Sequence, residues 1–277
     1  MTKILPYFRK PWVLIFIAGI ILFVITDVVM TSTSNPNFVP TVLLLGAGLI
    51  PVTFVAFIYQ RVPIGEGLLL PIVFTFLWGG ALGVAVAGFL EYSSLRQLGA
   101  YQLVGVGLIE EAAKLIIPLV FFFNGRFRHE ADGLIFGIAA GMGFAALETM
   151  GYGFTTFLQS QGNPNSVLQT LLVRGILSPS GHAAWTGLVC AAIWRAREKN
   201  WSPLYTWAVA GTFVLAVALH SAWDILGTIS SKIASLVFLE YAGLVVVGLV
   251  SFALLMRRFL VARHFSGEEA SQAFRPS

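Results

Sequence analysis

Charged side chains are scarce. Asp, Glu, Lys and Arg make up 11% of the 277 residues, whereas a soluble globular domain carries about 25%. Together with 57% hydrophobic residues and a mean hydropathy of +0.83, this excludes a soluble fold. Cysteine is almost absent as well. The single thiol, Cys190, excludes a disulfide framework and any cysteine-based metal centre, since each needs at least two thiols. A metal would have to be held by histidine and carboxylate. The chain also lacks an HExxH zinc motif and a Gly-x-Ser-x-Gly nucleophile elbow, so neither common hydrolase signature is present. Its net charge of +4 is spread between apolar runs without a basic patch, which argues against nucleic acid as a partner. No internal repeat or low-complexity segment is visible.

Long apolar runs take the place of everything missing. They extend over Trp12 to Met30, Phe38 to Tyr59, Leu68 to Leu90, Tyr101 to Phe123, Asp132 to Leu158, Val167 to Trp194, Pro203 to Leu226 and Leu236 to Ala262. Each is long enough to cross roughly 30 Å of hydrocarbon at about 1.5 Å per residue. The expected fold is therefore all-α: a polytopic transmembrane helix bundle of about eight spans, forming one membrane-embedded domain over residues 1–277. The first run lacks a small-residue cleavage site after it and is kept as span 1 rather than read as a signal peptide. Lys and Arg stay on the cytoplasmic side. Thirteen fall on one side: Lys3, Arg9, Lys10, Arg61, Arg126, Arg128, Arg195, Arg197, Lys199, Arg257, Arg258, Arg263 and Arg275. Only Arg96 and Lys232 oppose them, with Arg174 near the outer end of span 6. Both termini are expected to be cytoplasmic, which agrees with an even number of spans.

A few ionisable residues remain inside the spans: Glu110, Glu111 and Lys114 in span 4, Glu148 in span 5, His182 in span 6, and His220 and Asp224 in span 7. A charged group at mid-membrane costs about 3 kcal/mol on insertion scales, so these must face one another or water. Glu110 and Glu111 sit about nine or ten residues below the outer face, or ~14 Å at helical rise. Glu148 falls at the same level and His220 somewhat shallower. Ser178, Pro179, Ser180 and Gly181 before His182 predict a broken helix, tolerated at depth only where it is buried in protein or lines a cavity. His220 and Asp224, and likewise Glu110 and Lys114, are four residues apart and share a helix face. Glu111 and Lys114 are three apart, so the lysine can neutralise one carboxylate and leave the other available. Arg174 can snorkel outward or bind a substrate carboxylate or carbonyl.

Histidines and carboxylates converging from several helices offer nitrogen and oxygen ligands for zinc or a similar divalent ion, with a spare glutamate as general base. The same groups also suit a metal-free route, with a glutamate activating water and a histidine stabilising the oxyanion. A proton- or ion-coupled transporter could use such a buried Glu/His/Asp cluster as a relay; the missing inverted repeat weighs against it.

The ordered pieces EExxK (Glu110 to Lys114), FxxxE (Phe144 to Glu148), Ser-Gly-His182 and HxxxD (His220 to Asp224) resemble the motifs of the PrsW family of intramembrane proteases. That family is related to CAAX-processing and bacteriocin-processing membrane endopeptidases. The similarity covers spans 4 to 7, which makes residues 101–226 the expected catalytic core and 1–100 and 227–277 accessory. The resemblance implies a peptidase of the bacterial plasma membrane that cleaves membrane-anchored proteins on the extracytoplasmic side, a transmembrane anti-sigma factor being the best-known type. It assigns catalytic duty to Glu110 or Glu111, to Glu148, to His182 and to His220. Lys114 and Asp224 take supporting roles, and Glu148, His182, His220 and Asp224 are the implied ligands of a divalent metal, zinc first. The family often has Asn after the FxxxE glutamate; here Thr149 stands in that place.

Overall fold

The computed structural model describes residues 10–62, 67–95, 102–228 and 236–273, with side chains as far as Arg263. Lys3, Arg9, Arg96, Lys232 and Arg275, five of the cations used to orient the chain, lie outside the described residues, as does Tyr101 at the expected start of span 4. The described chain is helical, without strands among the described residues. Its helices are α1 (Pro11–Thr33), α2 (Val39–Tyr59), α3 (Leu69–Ser94), α4 (Gln102–Lys114), α5 (Ile116–Asn124), α6 (Glu130–Gln159), α7 (Pro164–Leu177), α8 (His182–Glu198), α9 (Pro203–Leu226) and α10 (Val237–Ala273). Pro11, Pro164 and Pro203 each open a helix, where a missing N–H costs nothing. Asn163 caps α7 by accepting from the Asn165 amide at 3.0 Å.

Seven helical stretches among the described residues, with α7 and α8 taken together as one, are long and apolar enough to cross a membrane. They correspond to every expected span except the fourth. That stretch is divided at Leu115 into α4 and α5. The cause is Pro118, which has no N–H to give the Lys114 carbonyl and presses its ring on that turn. The Leu115 amide accordingly shifts to the Ala112 carbonyl, at 3.2 Å. The interruption expected before His182 is present too: α7 gives way to a 3-10 turn at Ser178–Ser180 before α8 begins.

The chain forms two compact units, with α6 contributing to both. The first contains α1, α2, α7 and the part of α6 from Ala145 onward. Phe23, Met30, Val42, Leu43, Ala47, Val167 and Leu171 form its core. Gly46 allows the close approach, since a Cβ there would lie 2.8 Å from both Leu171 and Phe23. A cavity of about 460 Å³ in this unit is lined only by apolar residues and glycine, among them Pro40, Leu147, Gly151 and Phe154.

The second unit contains α3, α4, α5, α6 up to Phe144, α8, α9 and α10. Leu134, Ile135, Phe136, Ile138, Ala139, Ala140 and Met142 of α6 are fully buried, as expected of a helix apolar on all sides at the centre of its unit. Small residues let backbones touch where lipid supplies no hydrophobic drive between helices. A Cβ on Gly137 would lie 2.5 Å from the Thr186 carbonyl oxygen, and one on Gly141 2.2 Å from that of His182. These two glycines therefore hold the start of α8 against α6. Its far end is fixed by hydrogen bonds. Trp194 Nε1 donates to the Phe127 carbonyl at 2.9 Å, Arg197 reaches the carbonyls of Phe122, at 2.8 Å, and Phe127, and Glu198 accepts from the Glu130 amide at 2.6 Å. Trp194 and Arg197 thereby fasten the end of α5 and the turn after it to α8.

Gly141→Ala is expected to destabilise the protein by about 1–3 kcal/mol, the usual cost of overpacking, because the His182 backbone must move. Gly151→Ala is the matched control. A Cβ there meets nothing within 4 Å, so alanine should leave the melting temperature in detergent unchanged or raise it. Equal melting temperatures for the two variants would contradict the packing.

Candidate active site

The centre of the second unit is built from α4, α6, α8 and α9. On α4, Gly107 lies where a Cβ would fall 2.7 Å from Ser221 Oγ, so α4 and α9 come close enough for their polar residues to meet. Glu110 and Glu111 one turn later and Lys114 two turns later face inward, at 7%, 1% and 0% exposure, and His220 of α9 faces them at 2%.

Lys114 is the hub. Its Nζ lies 2.8 Å from Glu111 Oε1, 3.1 Å from Glu110 Oε2 and 2.9 Å from His182 Nδ1. An ammonium carries three donors, and each has an acceptor here. The face of the Phe144 ring lies 4.2 Å from the same nitrogen, close enough for a cation–π contact. The lysine therefore engages both glutamates and a histidine, rather than neutralising one acid and leaving the other.

The two glutamates differ. Glu111 is held at both oxygens: Oε1 by Lys114 and, at 2.9 Å, by His220 Nδ1, and Oε2 by the Thr186 hydroxyl at 3.1 Å. Glu110 makes its contacts through Oε2, to Lys114 and, at 3.5 Å, to His220 Nε2, which leaves Oε1 available. These contacts also set the imidazoles. An ionised Glu111 only accepts, so His220 donates from Nδ1, while its Nε2 faces the carboxylates of Glu110 and Asp224. Lys114 only donates, so His182 accepts at Nδ1 and carries its hydrogen on Nε2. Asp224 Oδ2 is 3.6 Å from His220 Nε2, in line with the four-residue spacing.

Aromatic rings complete the walls. Trp185 stacks on His220 with ring centres 4.6 Å apart, and its Nε1 donates to Ser251 Oγ of α10 at 2.9 Å. His182 lies 5.6 Å from Phe144 and 5.4 Å from His220, centre to centre. Trp185, Thr186 and Ser251 are absent from the sequence-based set. Trp185 and Thr186 stand three and four residues after His182, the spacing that shares its helix face, and Ser251 is a lone polar residue in an apolar run.

Glu110, His182 and His220 each offer one ligand atom, all within 4.8 Å of one another. Two imidazoles and a carboxylate are a donor set suited to zinc, so the residues present fit a divalent metal. Of the four ligands implied by the family motifs, His182 and His220 belong to this group. Asp224 stands beside His220. Glu148 lies in the first unit, where Arg174 Nη2 pairs with it at 2.8 Å. The Arg174 guanidinium also lies over the Tyr152 ring at 3.8 Å.

Apolar helices enclosing a buried acid–base centre define a multi-pass membrane protein with the equipment of a hydrolase. The comparisons give the particular kind. The profile of the PrsW family intramembrane metalloproteases matches residues 69–256, which contain every residue of the centre. A protease PrsW from the bacterium Halalkalibacterium halodurans is 30% identical over 200 residues, covering 68% of this chain and 85% of that protein. No solved structure matches the chain. The chain belongs to the PrsW family: it is a multi-pass integral membrane protease of the bacterial plasma membrane.

Proposed function

We propose that the chain is an intramembrane endopeptidase that hydrolyses membrane-anchored protein substrates at a site in the extracytoplasmic half of the bilayer. A transmembrane anti-sigma factor is one fitting substrate. The reading takes α4 and α5 together as one of eight crossings, both termini as cytoplasmic and residues 101–226 as the catalytic core. The observation that carries it is the buried contact of Glu110, Glu111, His182 and His220 around Lys114, because membrane-buried charge is retained only where it has work to do.

In this reading Glu110 is the general base. Its Oε1 takes a proton from water as the water oxygen bonds to the scissile carbonyl carbon, and the carbonyl electron pair moves onto oxygen. His182 Nε2–H donates to that oxyanion. When the C–N bond breaks, Glu110 returns the proton to the departing nitrogen. Glu111 reacts with nothing; it holds Lys114, His220 and Thr186. In a metal-bound form Glu110, His182 and His220 would instead serve as ligands, and the metal would supply Lewis-acid polarisation and a more acidic water. Asp224 steadies His220. For Glu148 the support is the family motif alone, as ligand or as second carboxylate.

The test is cleavage of single-span substrates by the purified protein in liposomes, with products mapped by mass spectrometry. His220→Ala and Glu148→Ala should each lower turnover at least about 100-fold, within the range for acid–base groups. Full cleavage by both variants would contradict the assignment, and proton flux without cleavage would favour a carrier.

A further inference from the structure

The second unit holds a cation of its own where the donor atoms converge. We propose that the Lys114 ammonium and a divalent metal occupy this centre in alternation, so that metal enters only when Lys114 is displaced. The inference rests on the reading of Glu110, His182 and His220 as the reactive centre and adds what controls its loading.

Two of the three acceptors of Lys114, Glu110 Oε2 and His182 Nδ1, belong to residues of the candidate ligand group. The third, Glu111 Oε1, orients the remaining ligand, His220. The lysine thus touches each ligand or the group that holds it. A metal bound through His182 Nδ1 needs the lone pair that accepts from Lys114, 2.9 Å away. A metal bound through Nε2 requires the hydrogen on Nδ1, and two donors would then face each other at that distance. Either way the lysine–histidine contact breaks. Charge acts in the same direction, since a divalent ion and an ammonium repel strongly where little water screens them. A displaced Lys114 need not give up all its partners. The Phe144 face, 4.2 Å from Nζ, can keep the ammonium on the aromatic side while Glu111 remains its partner. Lys114 acts here as a positioning residue that sets which cation the donors hold.

The test is zinc affinity of the full chain in detergent, measured by competition with a chromophoric chelator. Wild type is compared with Lys114→Met, Lys114→Gln and the double variant Lys114→Met/His182→Ala. Both single variants should bind one zinc per chain at least tenfold tighter than wild type, and the double variant should lose that gain. Lys114→Gln keeps a neutral donor for the two carboxylates, so the comparison stands on it where Lys114→Met does not fold, as judged by circular dichroism and gel filtration. Unchanged or weaker affinity in the folded variants, no zinc uptake included, would overturn the proposal. Peptide cleavage by the same wild-type preparation is recorded separately. Its absence in every cation state counts against the protease mechanism, whereas unaltered zinc affinity beside active cleavage counts against the Lys114 inference alone.

Discussion

Glu110→Gln is expected to lower kcat for peptide-bond hydrolysis by about 10²- to 10⁴-fold, the range lost when a positioned general base is removed, with little change in melting temperature. Glutamine has nearly the same shape and keeps a carbonyl oxygen for the Lys114 Nζ now 3.1 Å from Oε2. The amide cannot take a proton from water. KM should change far less than kcat, because the lost interaction belongs to the transition state. A variant with wild-type kcat would remove Glu110 from the chemistry.

Glu111→Ala is expected to act on the fold instead. Its carboxylate is buried and serves Lys114, His220 and Thr186 together. Removing one partner of a buried ion pair costs about 3–5 kcal/mol where the other charge is left uncompensated; Glu110 still faces Lys114, so a loss toward the lower end of that range is expected. The Lys114 ammonium would keep Glu110 and His182, while His220 would lose the acceptor of its Nδ1 hydrogen. Unfolding in detergent should show the loss, and activity should fall with it. Glu111→Gln should recover part of the stability, since an amide still accepts from Lys114. A Glu111→Ala variant as stable as wild type would show that the carboxylate is not the anchor of the cluster.

Much of this was legible in the sequence, and the limits have physical causes. The helical class followed from run lengths, and the interruption before His182 from Ser178, Pro179 and Gly181. The contacts of Lys114 with Glu110 and Glu111, and of His220 with Asp224, follow from three- and four-residue spacing on one helix. The division of span 4 was readable in principle: Pro118 leaves the Lys114 carbonyl without a helical partner, but a count of apolar residues passes over a proline. The contacts between helices were not readable. Lys114 to His182 and Thr186 to Glu111 join residues 68 and 75 positions apart, and a helix apolar on every side does not reveal which way it is turned. Arg174 shows the same limit. Its sequence position suits outward snorkelling or substrate binding, and only the structure pairs it with Glu148.

The most direct measurement is cleavage of a single-span membrane substrate by the purified chain reconstituted in liposomes, wild type against Glu110→Gln, with each variant's fold confirmed by its melting curve. The account predicts a defined cut in the substrate's membrane-embedded or juxtamembrane segment by the wild type, and loss of that cut in a folded Glu110→Gln protein. Undiminished cleavage by Glu110→Gln would contradict it.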